Sequence, residues 1–137
     1  MTTQTKVLIV DDDTAFSESI RDLLEACGYA VFNAPDGHSG IEQALALKPD
    51  IMILDVMMRT DTEGIDVARR VREIADLAGM GIVLVTGVTK ALRLPTDLTP
   101  DAHWLPVDRV LEKPVAPDRL IHELERVLQQ RQGEIER

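Results

Sequence analysis

Short, continuously apolar runs alternate with amphipathic ones along this chain, and that alternation leaves very few folds open to it. Val7-Leu8-Ile9-Val10, Ile51-Met52-Ile53-Leu54 and Ile82-Val83-Leu84-Val85 contain no polar side chain. A strand that is apolar on both faces needs cover on both, which is the condition of a parallel sheet flanked by helices. Tyr29 to Asn33 and Val107 to Leu111 read as the second and fifth strands.

The segments between them read as helices. Phe16, Ile20, Leu23, Leu24 and Cys27 recur at helical spacing, with Asp13 or Thr14 placed to cap the start and Gly28 to end it. Cys27 is expected to fill the core. Ser39 to Leu47, with Ile41, Ala44 and Leu45 on one side, gives a second helix that Lys48-Pro49-Asp50 breaks, and Gly64 to Asp76, with Val67, Val71 and Ile74, a third. After Thr86, Leu92 and Leu94 are followed by Pro95 and Pro100, which leaves room for a short helix only. Pro117 opens the last helix, with Leu120, Ile121, Leu124, Val127 and Leu128 inward and Arg126 and Arg131 near its end. The polar tail after about Gln130 is expected to fray. Five strand-then-helix units predict an α/β, doubly wound, five-stranded parallel sheet with right-handed crossovers and helices on both faces.

A chain of 137 residues with 45% apolar content suits one domain with one core. Its net charge of -9 opposes a direct grip on nucleic-acid phosphates. One cysteine excludes an internal disulfide. Met1-Thr2-Thr3-Gln4-Thr5-Lys6 has no leader pattern, and no run approaches the roughly 20 apolar residues that cross a bilayer. The expectation is a cytoplasmic protein without membrane contact.

In doubly wound sheets ligands bind beyond the C-terminal strand ends. The residues there are Asp11 and Asp12 after strand one, Asp55 after strand three, Thr86 after strand four and Lys113 after strand five. Singly, each has an ordinary structural explanation, since Asp abounds in turns and Lys on surfaces. Together they point to chemistry. Two unit charges about 4 Å apart at an effective dielectric near 20 interact by roughly 4 kcal/mol, so clustered carboxylates call for a cation. Magnesium suits oxygen ligands and bridges carboxylates to phosphate, with manganese as the alternative ion. One carboxylate can then attack phosphorus, while the cation and Lys113 neutralise the phosphoryl oxygens and the Thr86 hydroxyl donates to one of them.

Val7-Leu8-Ile9-Val10-Asp11-Asp12-Asp13, Pro49-Asp50-Ile51-Met52-Ile53-Leu54-Asp55-Val56-Met57-Met58, Val85-Thr86 and Leu111-Glu112-Lys113-Pro114 resemble the receiver domains of two-component response regulators. The resemblance spans residues 5–130 and leaves 1–4 and 131–137 as flexible tails. It implies a flavodoxin-like strand order 2-1-3-4-5 and a stand-alone receiver. Asp55 would take phosphate from a sensor histidine kinase or a histidine phosphotransfer protein. Asp12 would bind magnesium directly, Asp11 through water and Met57 through its backbone carbonyl. Thr86 and Lys113 would contact the phosphoryl group, and the Lys113-Pro114 peptide would be cis. The implied output is a changed contact with a downstream protein effector or onward transfer of phosphate, with homodimerisation as an alternative. Such a protein is a switch rather than an enzyme.

Several positions depart from the family's pattern. Arg59-Thr60-Asp61-Thr62-Glu63-Gly64 follows Asp55 where Pro and then Asp-Gly are usual, and it is one residue longer. Gly87 stands where Ala is customary, and Val110 where many receivers carry Tyr or Phe, so the usual coupling of a threonine to an aromatic rotamer cannot operate. The stretch from Thr86 to Lys113 is long and contains Pro95, Pro100, Pro106 and the only tryptophan, Trp104, which reads either as an anchor for a surface loop or as part of a partner-binding face. Met57 and Val88 are apolar and cannot hold an attacking water, which predicts slow loss of phosphate. His38, His103 and His122 lack metal-ligand spacing. Two competing readings remain: a haloacid-dehalogenase-like phosphatase with Asp11 as nucleophile, and a degenerate receiver acting as a phosphorylation-independent scaffold.

Overall fold

A computed structural model describes residues 4–58, 60, 62–87, 100–101 and 104–136, with the backbone alone beyond 131. The readings placed on the leader, Arg59, Asp61, Val88, Leu92, Leu94, Pro95 and His103 lie outside the described residues. The strands are β1 (Lys6–Val10), β2 (Ala30–Ala34), β3 (Ile51–Asp55), β4 (Gly81–Thr86) and β5 (Arg109–Glu112). The helices are α1 (Thr14–Ala26), α2 (Gly37–Leu47), α3 (Glu63–Glu73) and α4 (Pro117–Glu136), with one 3-10 turn at Ala75–Leu77. All strand pairs are parallel, and the sheet order is β2-β1-β3-β4-β5.

Alternate residues of the apolar strands feed two separate cores, one on each face of the sheet. Leu8, Val10, Met52, Leu54, Ile82 and Leu84 pack with α2 and α3 residues such as Ala44, Val67 and Val71. Val7, Ile9, Ile51, Ile53, Val83 and Val85 pack with Ile20 and Leu24 of α1 and with Leu120, Leu124 and Val127 of α4. This double cover explains why β3 and β4 are buried at every position. Among the described residues no helix is long and apolar enough to cross a membrane.

One sequence expectation is corrected. Cys27 is exposed rather than part of the core. It is the C-cap of α1, immediately before Gly28 at φ 97, so the helix turns away before the apolar stripe can carry it inward, and Ile20 and Leu24 take the burial. α4 runs to Glu136, past the Gln130 at which the sequence reading places the start of the tail. The Arg131 guanidinium donates to Asp108 Oδ1 from Nε at 3.1 Å and from Nη2 at 2.9 Å.

Trp104 packs against the body of the domain. It is half-buried against the first core, its carbonyl accepts from Arg69 Nε at 2.9 Å, and the same guanidinium lies 5.4 Å from its ring centroid. Val110 packs half-buried on the same core.

Candidate functional site

The rim formed by the C-terminal strand ends gathers the predicted polar residues because each stands one or two residues beyond its strand's apolar run. Asp11 and Asp55 are 5% exposed and Thr86 is 1% exposed, whereas Asp12 faces solvent. One carboxylate oxygen from each of Asp11, Asp12 and Asp55 lies within 4.8 Å of the others. Lys113 reaches across from the end of β5. Its Nζ donates to Asp11 Oδ2 at 3.0 Å and stands 3.9 Å from Asp55 Oδ1. The Lys113-Pro114 peptide is cis.

The two buried carboxylates have different surroundings. Each oxygen of Asp11 has a partner: Oδ2 takes the lysine, and Oδ1 accepts from the Asp13 backbone N–H at 2.8 Å. Asp55 accepts from the Met57 backbone N–H and has the ammonium only at a distance. Burial pushes its carboxyl up to about 7, Asp11 adds to this by charge repulsion, and Lys113 and the Met57 N–H pull the other way. A carboxylate held this far from its ordinary range by burial and like charge marks a site suited to a cation.

Thr86 supplies the complementary observation. Its hydroxyl is buried and has no hydrogen-bond partner among the described residues, an arrangement that costs about 1–3 kcal/mol unless something else satisfies it. Three clustered carboxylates and an orphaned hydroxyl fit a hard divalent cation together with an oxyanion. Met57 reaches the site through its backbone, while its side chain packs half-buried on the first core.

The start of α3 closely frames Asp55. Gly64 donates its N–H to Val56 O at 2.9 Å, and a Cβ there would stand 2.0 Å from Asp55 O, so only glycine lets α3 start this close to the strand end. Glu63 then reaches α2, where its carboxylate accepts from Gly37 N–H at 2.6 Å. Among the described residues, nothing lies within 4 Å of a Cβ placed at Gly87.

Sequence reasoning placed Asp13 between a cap and a pocket role, and the structure makes it the N-cap of α1, accepting from Phe16 N–H at 3.1 Å. Phe16 was legible only as one member of a helical stripe. In the structure its ring lies beneath the Lys113 ammonium, with Nζ 4.0 Å from the centroid. No local signal pointed to this, because the partners stand far apart in the sequence. His38 forms an exposed i,i+4 pair with Glu42.

A family model described as the response regulator receiver domain matches residues 7–125. The response regulator MprA of Mycobacterium ulcerans is 32% identical over 123 residues, which cover 90% of this chain and 50% of that protein. The transcriptional regulatory protein CseB of Streptomyces coelicolor is 44% identical over 73 residues, which cover 53% of this chain and 31% of CseB. The matched lengths thus span half or less of these relatives. Among solved structures, a CheY-like response regulator receiver domain protein of Methanospirillum hungatei is similar with a TM-score of 0.79 at 25% identity, covering 96% of this chain and 99% of the other. The chemotaxis response regulator CheY4 of Vibrio cholerae gives 0.74 at 28% identity, covering 91% and 99%.

Proposed function

This chain belongs to the response regulator receiver domain family, and we propose that within it Asp55 is the phosphoacceptor of a magnesium-dependent switch. The observation that carries this reading is the placement of the Lys113 ammonium between Asp11 and Asp55 within a three-carboxylate cluster. Asp11, Asp12, Asp55 and the Met57 carbonyl would hold the ion. Bound magnesium supplies charge neutralisation for the carboxylates and for the transferring phosphoryl oxygens.

The two buried aspartates divide the work by their surroundings. Both oxygens of Asp11 already accept hydrogen bonds, which leaves it poorly placed to attack. Asp55 has only the Met57 N–H and the more distant lysine, so an oxygen remains for phosphorus. This favours Asp55 over the phosphatase reading with Asp11 as nucleophile. In the transfer, an Asp55 oxygen bonds to phosphorus as the P–N bond of a phosphohistidine breaks, and the electron pair leaves with the imidazole. Lys113 meets the charge that develops on the equatorial oxygens, and the Thr86 hydroxyl gains the acceptor it lacks.

The phosphate donor is a sensor histidine kinase or a histidine phosphotransfer protein, and the output is an altered contact with a protein effector. A net charge of -9 argues that this domain does not itself grip DNA. A transcriptional output such as the name of CseB describes for that protein would fall to another domain or partner. Met57 is apolar and offers no group of its own to orient an attacking water, which supports a long-lived phosphoryl group.

The test is phosphotransfer from a phosphorylated histidine kinase domain to the wild type and to Asp55→Asn. Label should pass to the wild type only, and only with magnesium present. Equal labelling of Asp55→Asn, or equal partner binding with and without phosphate, would defeat the proposal; the second result would instead establish a constitutive scaffold.

A further inference from the structure

We infer that Phe16 is a positioning residue for Lys113, its ring face holding the ammonium where it can serve both Asp11 and Asp55. This rests on the reading of Asp55 as phosphoacceptor.

The argument is geometric. A lysine carries a point charge on a flexible four-carbon stem, and directional contacts at its head are needed to fix it. Here Nζ has Asp11 Oδ2 at 3.0 Å on one side and the Phe16 centroid at 4.0 Å on another, well inside the roughly 6 Å reach of a cation–π contact. The Lys113 side chain is 20% exposed, so the contact is partly desolvated and stronger than on an open surface.

Phe16 is itself registered to the acidic cluster. The Asp13 N–H donates to Asp11 Oδ1 at 2.8 Å, Asp13 Oδ1 accepts from Phe16 N–H at 3.1 Å, and the Phe16 ring carries Lys113, which returns to Asp11 Oδ2. The circuit is closed. It ties the first turn of α1, the end of β1 and the end of β5 into one unit, so the aromatic face is fixed relative to the carboxylates.

Packing against the second core accounts for only part of the ring's surroundings. Phe16 is only half-buried, and it borders an apolar groove of about 570 Å³ between α1 and the start of α4, shared with Ile20, Leu23, Pro114 and Leu120. Packing on that side is incomplete, whereas the ring face toward Lys113 is occupied.

The test compares the rate of phosphorylation by saturating phosphoramidate with magnesium in the wild type, in Phe16→Leu, in Phe16→Tyr and in a protein carrying pentafluorophenylalanine at position 16. The fluorinated ring keeps the shape and inverts the charge of the ring face, so a structural role would not register it. Leucine and the fluorinated ring should slow phosphorylation by about threefold to thirtyfold, the range a cation–π contact commands. Tyrosine, which keeps the face, should stay within about twofold of the wild type. All four should keep the wild-type melting temperature to within a few degrees; should leucine lower it further, the fluorinated and tyrosine proteins carry the comparison. A fluorinated protein that reacts at the wild-type rate, or a tyrosine variant as slow as leucine, overturns the inference. Wild-type protein that takes no phosphate at all would instead overturn the assignment of Asp55.

Discussion

The Glu63 carboxylate, at the start of α3, accepts a hydrogen bond from the Gly37 backbone N–H at the start of α2, 2.6 Å away. Two helix N-termini on one face of the sheet are thereby tied together beside Asp55. The acceptor also satisfies one of the N–H groups that the first turn of α2 leaves open, and its negative charge suits the positive end of the helix dipole.

Glu63→Ala should therefore cost about 1 kcal/mol, the value typical of a lost helix-capping interaction, and it should speed amide exchange at Gly37. Glu63→Gln, which keeps the acceptor, should recover most of the loss. Urea unfolding and hydrogen exchange of the three proteins provide the measurement.

Asp108 should be the most sensitive polar position far from the site. Its carboxylate accepts from Ile82 N–H at 2.8 Å, from Arg72 Nη2 at 3.2 Å and from Arg131 Nη2 at 2.9 Å. Burial holds the Arg72 guanidinium below its ordinary range, and the nearby Arg131 charge adds to that, so the two arginines coexist only with Asp108 between them. Asp108→Ala should cost about 3 kcal/mol, because it removes the carboxylate between two arginines and leaves a strand N–H without its acceptor. Arg131→Ala should cost roughly 1 kcal/mol, expressed as faster exchange in the last turns of α4. Thermal melts and residue-resolved exchange distinguish the two.

Thr86→Val should separate stability from function. Replacing a buried hydroxyl that has no partner with a methyl group of similar shape should leave stability unchanged or raise it by up to about 1 kcal/mol. The same change should weaken binding of beryllofluoride, a phosphoryl mimic, by about tenfold or more, since a hydrogen bond to a charged group is lost. Calorimetry with magnesium and beryllofluoride gives the second quantity.

The acidic cluster predicts an unusual pH dependence for the metal-free protein. The folded-state value for Asp55 is raised from 3.8 to about 7, so between those values the folded chain keeps a proton that the unfolded chain releases. The favourable contribution is complete below about pH 4 and is lost as pH rises through 7. In EDTA, Asp55→Asn should remove this loss and stabilise the protein at pH 8 by on the order of 2 kcal/mol, a figure reduced from the full shift because water still reaches the carboxyl. Denaturant titrations at pH 5 and pH 8 test both halves of the statement.

Most of the fold was legible because its signals are local. A run such as Ile51 to Leu54, apolar on both faces, has few homes outside a covered parallel sheet, and the polar residue that ends each run is by construction at the rim. What escaped depends on contacts between residues distant in sequence. Arg131 read as a helix-end charge, and its partner Asp108 belongs to another element. Cys27 fitted the apolar stripe of α1, yet the helix ends at that residue. The bond from Gly37 N–H to Glu63 and the stacking of Lys113 on Phe16 join segments that only the folded sheet brings together.

The most direct measurement is the site of phosphate attachment. The wild type is treated with acetyl phosphate and magnesium, the acyl phosphate is reduced with borohydride, and the modified residue is located by peptide mass spectrometry. The account predicts modification at Asp55 alone; modification at Asp11 or Asp12, with Asp55 untouched, would contradict it.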